Sequence, residues 1–384
     1  MSDARARALD DAFLAIVADW ARGGVGCDEA RFDELARTTC AYQVARNPPY
    51  ARYAATLGID LVHPPATWRD IPAVPASAFK DATLATCSPD EAELTFHTSG
   101  TTGEVAGKHY IEHARLYDAA LLAGFDRSML KDGMKLRYLN FLPNSRLHPH
   151  SSLGYMMGHV SVLRGDGKAQ YFLDDGASSA AEREASIDLE GFSVALKRAI
   201  ADAQPVCIAG TAFALVALLD AFETEDRAFV CPSGSRIMET GGFKGRARVV
   251  ERSELYTRLE TALGIPTVSI VAEYGMTELV SQYYDAPESR AAGTSERHPQ
   301  DVHIKQAPPW LRTLVVDGDG RELPGGETGF LRHVDLGNRS SVVAIDTADR
   351  GYARGDGIVL LGRPLDAPLR GCSLDSEDLI ARKR

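Results

Sequence analysis

The run of residues from Thr95 to Lys108 holds the residue types best suited to chemistry in this 384-residue chain. It reads Thr-Phe-His-Thr-Ser-Gly-Thr-Thr-Gly-Glu-Val-Ala-Gly-Lys, so hydroxyl side chains alternate with glycines and a lysine ends the run. Glycines let several backbone N–H groups converge on an anion, while the hydroxyls and the lysine add donors and positive charge. The pattern predicts a phosphate-binding loop, with a flexible surface loop as the alternative.

The spacing of this run differs from that of the phosphate loop of nucleoside triphosphatases. In that loop the second glycine lies one residue further along, and Ser or Thr follows the lysine. Here three residues separate Gly103 from Gly107, and His109 follows Lys108. The run is therefore predicted to bind phosphate in another kind of enzyme.

A second candidate segment runs from Ala272 to Glu278, directly after a predicted strand, and reads Ala-Glu-Tyr-Gly-Met-Thr-Glu. Ligands of open α/β sheets bind at the carboxyl ends of strands. A carboxylate at that place can hold Mg²⁺, which usually binds one or two protein carboxylates together with substrate phosphates. The alternative is an ordinary turn with a capping glutamate.

A third candidate segment runs from Tyr352 to Asp356 and is followed by Gly362-Arg363. An aspartate after a glycine at a strand turn can accept hydrogen bonds from both hydroxyls of a ribose. The guanidinium of a nearby arginine can neutralise phosphate charge through its planar fork. Taken alone, Gly355-Asp356 is also typical of a simple turn.

Predicted strands and helices alternate through most of the chain. The spacing of apolar residues predicts helices over 3–21, 29–46, 111–126, 187–202, 212–222 and 250–263. Strands are predicted at 94–97, 136–142, 160–163, 170–173, 205–210, 236–239 and 267–272. This alternation predicts an α/β fold with a largely parallel sheet. From about Trp310 onward, short strands and turns predict a smaller β-rich subdomain.

The composition narrows the class of partner and the compartment. The chain has 42 basic and 53 acidic side chains, a net charge of −11, so no nucleic-acid partner is expected. Six cysteines show no metal-ligand spacing, and reduced thiols in the cytoplasm are expected. The mixed charges of the first residues are not typical of a signal peptide, so none is expected. No apolar run approaches about eighteen residues, so no membrane span is expected.

In order and spacing, the three segments resemble the motifs of the adenylate-forming (ANL) superfamily, which includes acyl-CoA synthetases, adenylation domains and firefly luciferase. The resemblance covers most of the chain from about residue 70. Within the superfamily the chain is most similar to the acyl-protein synthetase (LuxE-type) group, with phenylacetate-CoA-ligase-like enzymes as near relatives. Three further passages carry this finer resemblance: 71–80, 149–156 and 362–373.

The resemblance implies a large α/β core with mostly parallel sheets flanked by helices, and a small β-rich subdomain. The core is expected over 1–304, with a helical region to about residue 65, and the subdomain over 305–363. Residues 364–384 would be a short remnant of the C-terminal swinging domain, which is expected to be absent or vestigial.

The activity implied by the resemblance is the activation of a carboxylic acid, fatty or aryl, by ATP with Mg²⁺, giving an acyl-adenylate and pyrophosphate. The implied phosphate-binding residues are Thr98, Ser99, Gly100, Thr101, Thr102, Gly103 and Lys108. Gly241, Gly242 and Phe243 resemble the loop that flanks adenine, and Tyr274, followed by Gly275, the aromatic residue that packs on it. Thr277 would contact the α-phosphate, Glu278 would hold Mg²⁺, Asp356 would bind the ribose hydroxyls, and Arg363 would lie near the ribose and phosphate.

The acyl acceptor is left open by the sequence. Cys372 lies where the acyl-protein synthetase group carries an acylated cysteine, and the nearby Arg370 favours its thiolate; a buried structural cysteine is the alternative. A partner protein or CoA could equally accept the acyl group. Two other functions stay open, namely a stand-alone aryl or small-acid adenylating enzyme and a non-catalytic nucleotide-binding protein. The acid pocket is expected from residues 148–159, 208–214 and 236–243.

Overall fold

The computed structural model describes residues 4–98, 106–173, 187–241, 250–286 and 303–363. Its described residues divide into two compact units, each built from separate parts of the chain. The first unit draws on Met1–Gly124, Met276–Tyr283 and Gln306–Arg384, and the second on Phe125–Gly275 and Tyr284–Lys305. The domain boundaries predicted near residues 304 and 363 divide the chain differently and stay a prediction.

The helices of the described residues are α1 (Ala4–Ala21), α2 (Glu29–Arg46), α3 (Pro48–Thr56), α4 (Ala78–Asp81), α5 (Ala114–Met129), α6 (Ser152–Arg164), α7 (Leu189–Ala201), α8 (Ala212–Thr224) and α9 (Arg252–Leu263). Most begin at a side chain that accepts a hydrogen bond from the first turn. Asp28 caps α2, Asp188 caps α7 and Thr211 caps α8. Such caps satisfy backbone N–H groups that have no partner within the helix. None of the described helices is long and apolar enough to cross a membrane.

The strands are β1 (Val74–Pro75), β2 (Leu94–His97), β3 (Lys108–Ile111), β4 (Arg137–Phe141), β5 (Gln170–Tyr171), β6 (Val206–Thr211), β7 (Arg236–Thr240), β8 (Ile270–Tyr274), β9 (Tyr283–Asp285), β10 (Ile304–Gln306), β11 (Leu311–Val316), β12 (Gly329–Asp335), β13 (Ala344–Arg354) and β14 (Gly357–Gly362). Short 3₁₀ turns include Thr267–Ser269 and Leu336–Asn338.

The second unit contains a parallel sheet in the order β8-β7-β6-β4-β5. Its central strands are apolar and buried along most of their length, as expected for a parallel sheet covered by helices. Phe192 of α7, Leu215 of α8 and Leu259 of α9 are fully buried in one core with Ile208 of β6 and Ile237 of β7. The α/β fold predicted from the alternation of elements is confirmed.

The first unit contains antiparallel sheet and the N-terminal helices. Strands β11, β12, β13 and β14 pair in order with antiparallel neighbours, and β1 adds in parallel to β13. This is the β-rich region predicted from about residue 310. Strands β2 and β3 form a separate two-stranded hairpin in the same unit.

Two predicted strands are wrong in detail. The β-branched residues of Val160–Leu163 suggested a strand, but they lie in α6, because Ser151 caps that helix by accepting from the Gly154 N–H at 3.0 Å. The predicted strand at 267–272 begins three residues later, after a 3₁₀ turn, and extends to Tyr274. The predicted helix at 111–126 begins at Ala114 because the residues before it complete β3.

Candidate active site

The β2–β3 hairpin carries the described ends of the predicted phosphate loop. Two hydrogen bonds join Thr98 to Gly107 beyond the paired strands. The Thr98 N–H donates to the Gly107 carbonyl, and the Gly107 N–H donates to Thr98 Oγ1, each at 2.9 Å. Lys108 follows at the start of β3, opposite His97, and its side chain is exposed. The predicted ligands Ser99, Gly100, Thr101, Thr102 and Gly103 lie outside the described residues.

At Gly107 the backbones of the hairpin and of α4 approach each other closely. A Cβ atom at this position would lie 3.0 Å from the Phe79 carbonyl carbon and 3.1 Å from the Lys80 nitrogen, both in α4. Backbone atoms cannot move aside as the end of a flexible side chain can. The hairpin is therefore seated against α4 immediately before Lys108.

The segment Thr277–Ser281 is held by side chains from the end of β12 and the turn after it. Asp335 accepts hydrogen bonds from the Val280 and Ser281 N–H groups at 3.1 and 3.0 Å. Asn338 accepts from the Val280 N–H at 2.9 Å and donates to the Glu278 carbonyl at 2.8 Å. The backbone that carries Thr277 and Glu278 is thus fixed on its C-terminal side.

Asp335 is fully buried, and the groups around it are donors. Besides the two backbone N–H groups, the Ser281 hydroxyl and the Gly337 N–H each donate to it at 2.9 Å. Burial raises the pKa of Asp335 to about 6, and these hydrogen bonds oppose the rise. The carboxylate is therefore ionised at neutral pH, where it can accept all of these hydrogen bonds.

His109 joins the hairpin to the Thr277–Ser281 segment within the first unit. Its Nδ1 atom lies 2.7 Å from the Thr277 carbonyl oxygen, and its ring meets Phe79 edge-on with centroids 5.8 Å apart. Because a carbonyl only accepts, Nδ1 carries the proton in this contact. Burial lowers the pKa of His109 to about 4, so the ring is neutral at pH 7. His109 was not among the site residues predicted from the sequence. Its position directly after Lys108 is the one sequence feature that could have pointed to it.

Asp356 and Arg363 lie at opposite ends of β14. Asp356 is exposed at the tip of the β13–β14 hairpin, beside Gly355 with φ +60°, and accepts from Gln306 Nε2 at 3.0 Å. The six residues of β14 separate it from Arg363 by roughly 20 Å.

Arg363 instead donates from Nε to Asp349 of β13 at 2.7 Å, and Asp349 is buried. The structure thus does not bring together Asp356 and Arg363. It adds Asp349, which the sequence analysis did not consider, as a second candidate carboxylate.

The candidate adenine-side residues belong to the second unit. Gly241 follows β7 with φ +69°, and Gly242 and Phe243 lie outside the described residues. Tyr274 is the last residue of β8 and is buried, with Gly275 directly after it. Next to these residues the Thr240 hydroxyl of β7 hydrogen-bonds to the Glu273 carboxylate of β8.

A buried ion pair in the second unit supports β8 just before Tyr274. Lys305 Nζ donates to Asp285 Oδ1 at 2.8 Å and to the Ala272 carbonyl at 2.7 Å, and Asp285 accepts from the Ala272 N–H at 2.9 Å. Although burial favours the neutral acid, Lys305 and His303 hold the pKa of Asp285 well below its usual range. Both peptide groups of Ala272 are thereby fixed, which sets the direction of the strand end. Neither Lys305 nor Asp285 was selected from the sequence.

The described residues offer few side-chain ligands for a divalent cation, but Mg²⁺ needs few when it also binds phosphate. No group of three or more His, Cys, Asp or Glu side chains among the described residues is arranged to hold a metal ion by itself. Mg²⁺ usually takes one or two carboxylates plus waters and phosphate oxygens. Glu278, largely buried at 9% exposure on the fixed segment, fits that smaller requirement.

Comparisons with known proteins give relatives of one kind. No family model matches the chain. Over 363 residues the chain is 22% identical to the long-chain-fatty-acid–luciferin-component ligase of Vibrio harveyi, covering 91% of this chain and 88% of that protein.

Solved structures that align with a TM-score above 0.5 share the fold. A 2-hydroxyisobutyryl-CoA ligase in complex with 2-HIB-AMP and CoA aligns with a TM-score of 0.58 and 15% identity, covering 88% of this chain and 76% of that one. The amide bond synthetase McbA from Marinactinospora thermotolerans aligns over 73% of this chain at 16% identity and a TM-score of 0.49. The chain spans about half, 52%, of that enzyme's length. The fold and the curated relative confirm the resemblance of this chain to the adenylate-forming superfamily and, within it, to the acyl-protein synthetase group.

Proposed function

We propose that this protein uses ATP to activate a carboxylic acid as an acyl-adenylate, with release of pyrophosphate. The observation that carries the proposal is the link between two motif segments in the first unit. Through His109 and the Thr277 carbonyl, 2.7 Å apart, the backbone next to Lys108 is tied to the backbone that carries Thr277 and Glu278. A cation, a hydroxyl donor and a carboxylate are thus presented by segments that hold each other in place.

The proposed reaction needs these groups because charge moves at phosphorus. A carboxylate oxygen of the acid forms a bond to the α-phosphorus of ATP, and the bond from that phosphorus to the pyrophosphate oxygen breaks. Lys108 offsets negative charge on the phosphates, and the Thr277 hydroxyl donates to an α-phosphate oxygen as charge builds there. Mg²⁺, held through Glu278 and phosphate oxygens, would supply charge neutralisation on the leaving pyrophosphate.

For the ribose end of ATP the proposal rests on a buried carboxylate paired with an arginine. Asp349 and Arg363 are joined at 2.7 Å across β13 and β14, and this pairing supports them as one site. Asp356, proposed from the resemblance, is the competing carboxylate. Gly241, Gly242, Phe243, Tyr274 and Gly275 are proposed for the adenine on the resemblance alone.

The curated relative is a long-chain-fatty-acid ligase, and we propose long-chain fatty acids as the first substrates to test. The deciding experiment is pyrophosphate exchange into ATP, run over fatty acids of increasing chain length and over aryl acids. Exchange that depends on one acid class identifies the substrate. The absence of exchange with every acid, in protein shown to be folded, would contradict the proposed function.

The acyl acceptor requires a separate experiment. Cys372, the proposed internal acceptor, lies outside the described residues. The cysteines of the described residues are unpaired thiols, which fits the reducing cytoplasm that we propose as the compartment. If Cys372 receives the acyl group, radiolabelled fatty acid with ATP will label the protein in a hydroxylamine-sensitive thioester, and Cys372→Ala will lose the label while keeping pyrophosphate exchange. Label retained in that variant assigns the acyl group elsewhere.

A further inference from the structure

We propose that His109 is a positioning residue that sets the orientation of Thr277 and Glu278 relative to Lys108. The inference rests on the proposed function, since it concerns the residues expected to act on ATP. It concerns a side chain that offers no donor to the phosphates itself.

Lys108 and His109 are neighbours on the same strand, β3. Side chains of a β-strand alternate between its two faces, so Lys108 and His109 must point to opposite sides of β3. Lys108 is exposed, whereas His109 is fully buried beside Phe79. The same short strand therefore presents a cation on one face and a hydrogen-bond donor to the Thr277 carbonyl on the other.

A histidine at position 109 leaves one of its ring nitrogens without a partner. Its Nε2 atom is buried and has no hydrogen-bond partner. A bare polar atom in the interior is destabilising, and a phenylalanine would fill a similar space without it. Packing alone therefore does not explain a histidine at this position. The Nδ1 hydrogen bond to Thr277 is the contribution that an apolar ring cannot make.

The carbonyl oxygens of two consecutive residues, Thr277 and Glu278, each accept a hydrogen bond from a side chain. His109 donates to the Thr277 carbonyl at 2.7 Å, and Asn338 donates to the Glu278 carbonyl at 2.8 Å. Fixing two successive peptide planes fixes the backbone dihedrals between them, and hence the directions of the side chains. Asn338 and Asp335 act from the C-terminal side of the segment; His109 is the anchor that connects it to the Lys108 strand.

Preorganised groups act mainly on the transition state, so loss of the anchor is expected in kcat rather than in KM. The decisive variants are His109→Phe, which keeps a ring and removes the donor, and His109→Asn, whose side-chain amide can place a donor near the position of Nδ1. We expect His109→Phe to lower kcat of acid-dependent pyrophosphate exchange about tenfold to a hundredfold, with KM for ATP changed less than about twofold. His109→Asn should recover most of that loss.

The matched control is His333→Phe. His333 is another fully buried histidine of the first unit, and its Nδ1 atom lies within hydrogen-bond distance of the Tyr283 and Thr313 hydroxyls. We expect this variant to change thermal stability without lowering kcat in the folded protein. Amide hydrogen exchange provides a readout without activity: in His109→Phe, exchange should accelerate in a peptide covering 277–281.

Different results would contradict the positioning role of His109 and the proposed function of the protein. If wild-type protein exchanges pyrophosphate and folded His109→Phe retains its kcat, the positioning role is overturned. It is also overturned if folded His109→Asn is as slow as His109→Phe, or if hydrogen exchange across 277–281 is unchanged. If folded wild-type protein shows no exchange with any acid, the proposed function fails instead.

Discussion

At the scale of single residues, the charged side chains of the candidate site differ in exposure and in their ion-pair partners. Lys108 is exposed at the end of the β2–β3 hairpin, directly beyond the hydrogen bonds between Thr98 and Gly107. Asp349 is buried against Arg363, whereas Asp356 is exposed at a hairpin tip. These settings lead to different expectations for each substitution.

Lys108→Ala should reduce acid-dependent pyrophosphate exchange about a hundredfold, because it removes a cation that offsets phosphate charge in the transition state. The side chain is exposed, so the fold should be unaffected. The measurement is the rate of exchange together with circular dichroism. Lys197→Ala, an exposed lysine on α7, is the control and should keep wild-type activity. Unchanged exchange in Lys108→Ala would contradict a role for this lysine in phosphate binding and would favour the alternative of a surface loop.

The two candidate ribose carboxylates can be compared directly. We expect Asp349→Asn to raise KM for ATP about tenfold, since a hydrogen bond to a charged group is worth roughly 1.5–3 kcal/mol and Arg363 loses its charged partner as well. Asp356→Asn should raise KM less than about threefold, because Asp356 lies roughly 20 Å from Arg363 along β14. Steady-state kinetics in ATP measures both. The reverse order of effects would assign the ribose to Asp356, as the sequence resemblance implies.

At the scale of elements, the hairpin that carries the described ends of the predicted phosphate loop, Thr98 and Gly107, is packed against a helix. The hairpin approaches α4 so closely at Gly107 that an added methyl group would force the neighbouring backbone to shift by a few tenths of an ångström. The Thr277–Ser281 segment has no regular structure of its own, and its backbone is held by hydrogen bonds to His109, Asp335 and Asn338. The elements around it thus position this piece of non-repetitive chain.

Gly107→Ala should therefore destabilise the protein by about 1–3 kcal/mol, the usual range for overpacking against atoms that cannot move. The matched control is Gly318→Ala, since a Cβ there meets nothing within 4 Å. Gly318 also has no positive φ, so its substitution should change stability by less than about 0.5 kcal/mol. Urea denaturation measures the difference. Equal stabilities for the two variants would show that the hairpin is not seated on α4 as described.

At the scale of the whole molecule, the chain passes four times between two compact units, and each unit has its own buried polar groups. The first unit holds two buried histidines, His109 and His333, and burial lowers the pKa of each to about 4. The second holds the Lys305–Asp285 pair, in which Lys305 and His303 hold the pKa of Asp285 well below its usual range although burial opposes this. Acid should therefore act on the first unit through its histidines.

The direction in which the free energy of unfolding changes with pH follows from the pKa of each histidine in the unfolded and in the folded chain. Between about pH 6.5, where an unfolded histidine takes a proton, and about pH 4, where the buried one does, the unfolded chain binds more protons. Each histidine must therefore lower the free energy of unfolding as pH falls through this window, by about 2 kcal/mol between pH 7 and pH 5, while the raised pKa of Asp335 acts in the opposite direction. Denaturation of wild type and His333→Phe at both pH values tests this. The variant should lose about 2 kcal/mol less than wild type over that interval; an equal loss would mean that His333 does not titrate as described.

The sequence by itself determined the elements and the order of the motifs. Runs of apolar β-branched residues such as Val206–Ile208 and Ile270–Val271 specify buried parallel strands, and the helical spacing of apolar residues specifies the helices between them, because both signals are local. Where local signals conflicted, the larger context prevailed: Val160–Leu163 is helical because a cap at Ser151 starts a helix that runs through it. Glycines and hydroxyls around Lys108 could likewise be recognised without a structure.

The tertiary structure alone decided which side chains act as partners. His109 meets Thr277 across 168 residues of sequence, and Lys305 meets Asp285 across 20. Arg363 faces Asp349 rather than Asp356 because the antiparallel register of β13 and β14 places position 350 opposite 362. Such contacts depend on strand register and on the close approach of backbones, which no local pattern encodes. For this protein the sequence supplied the chemical groups, and packing determined which of them can work together.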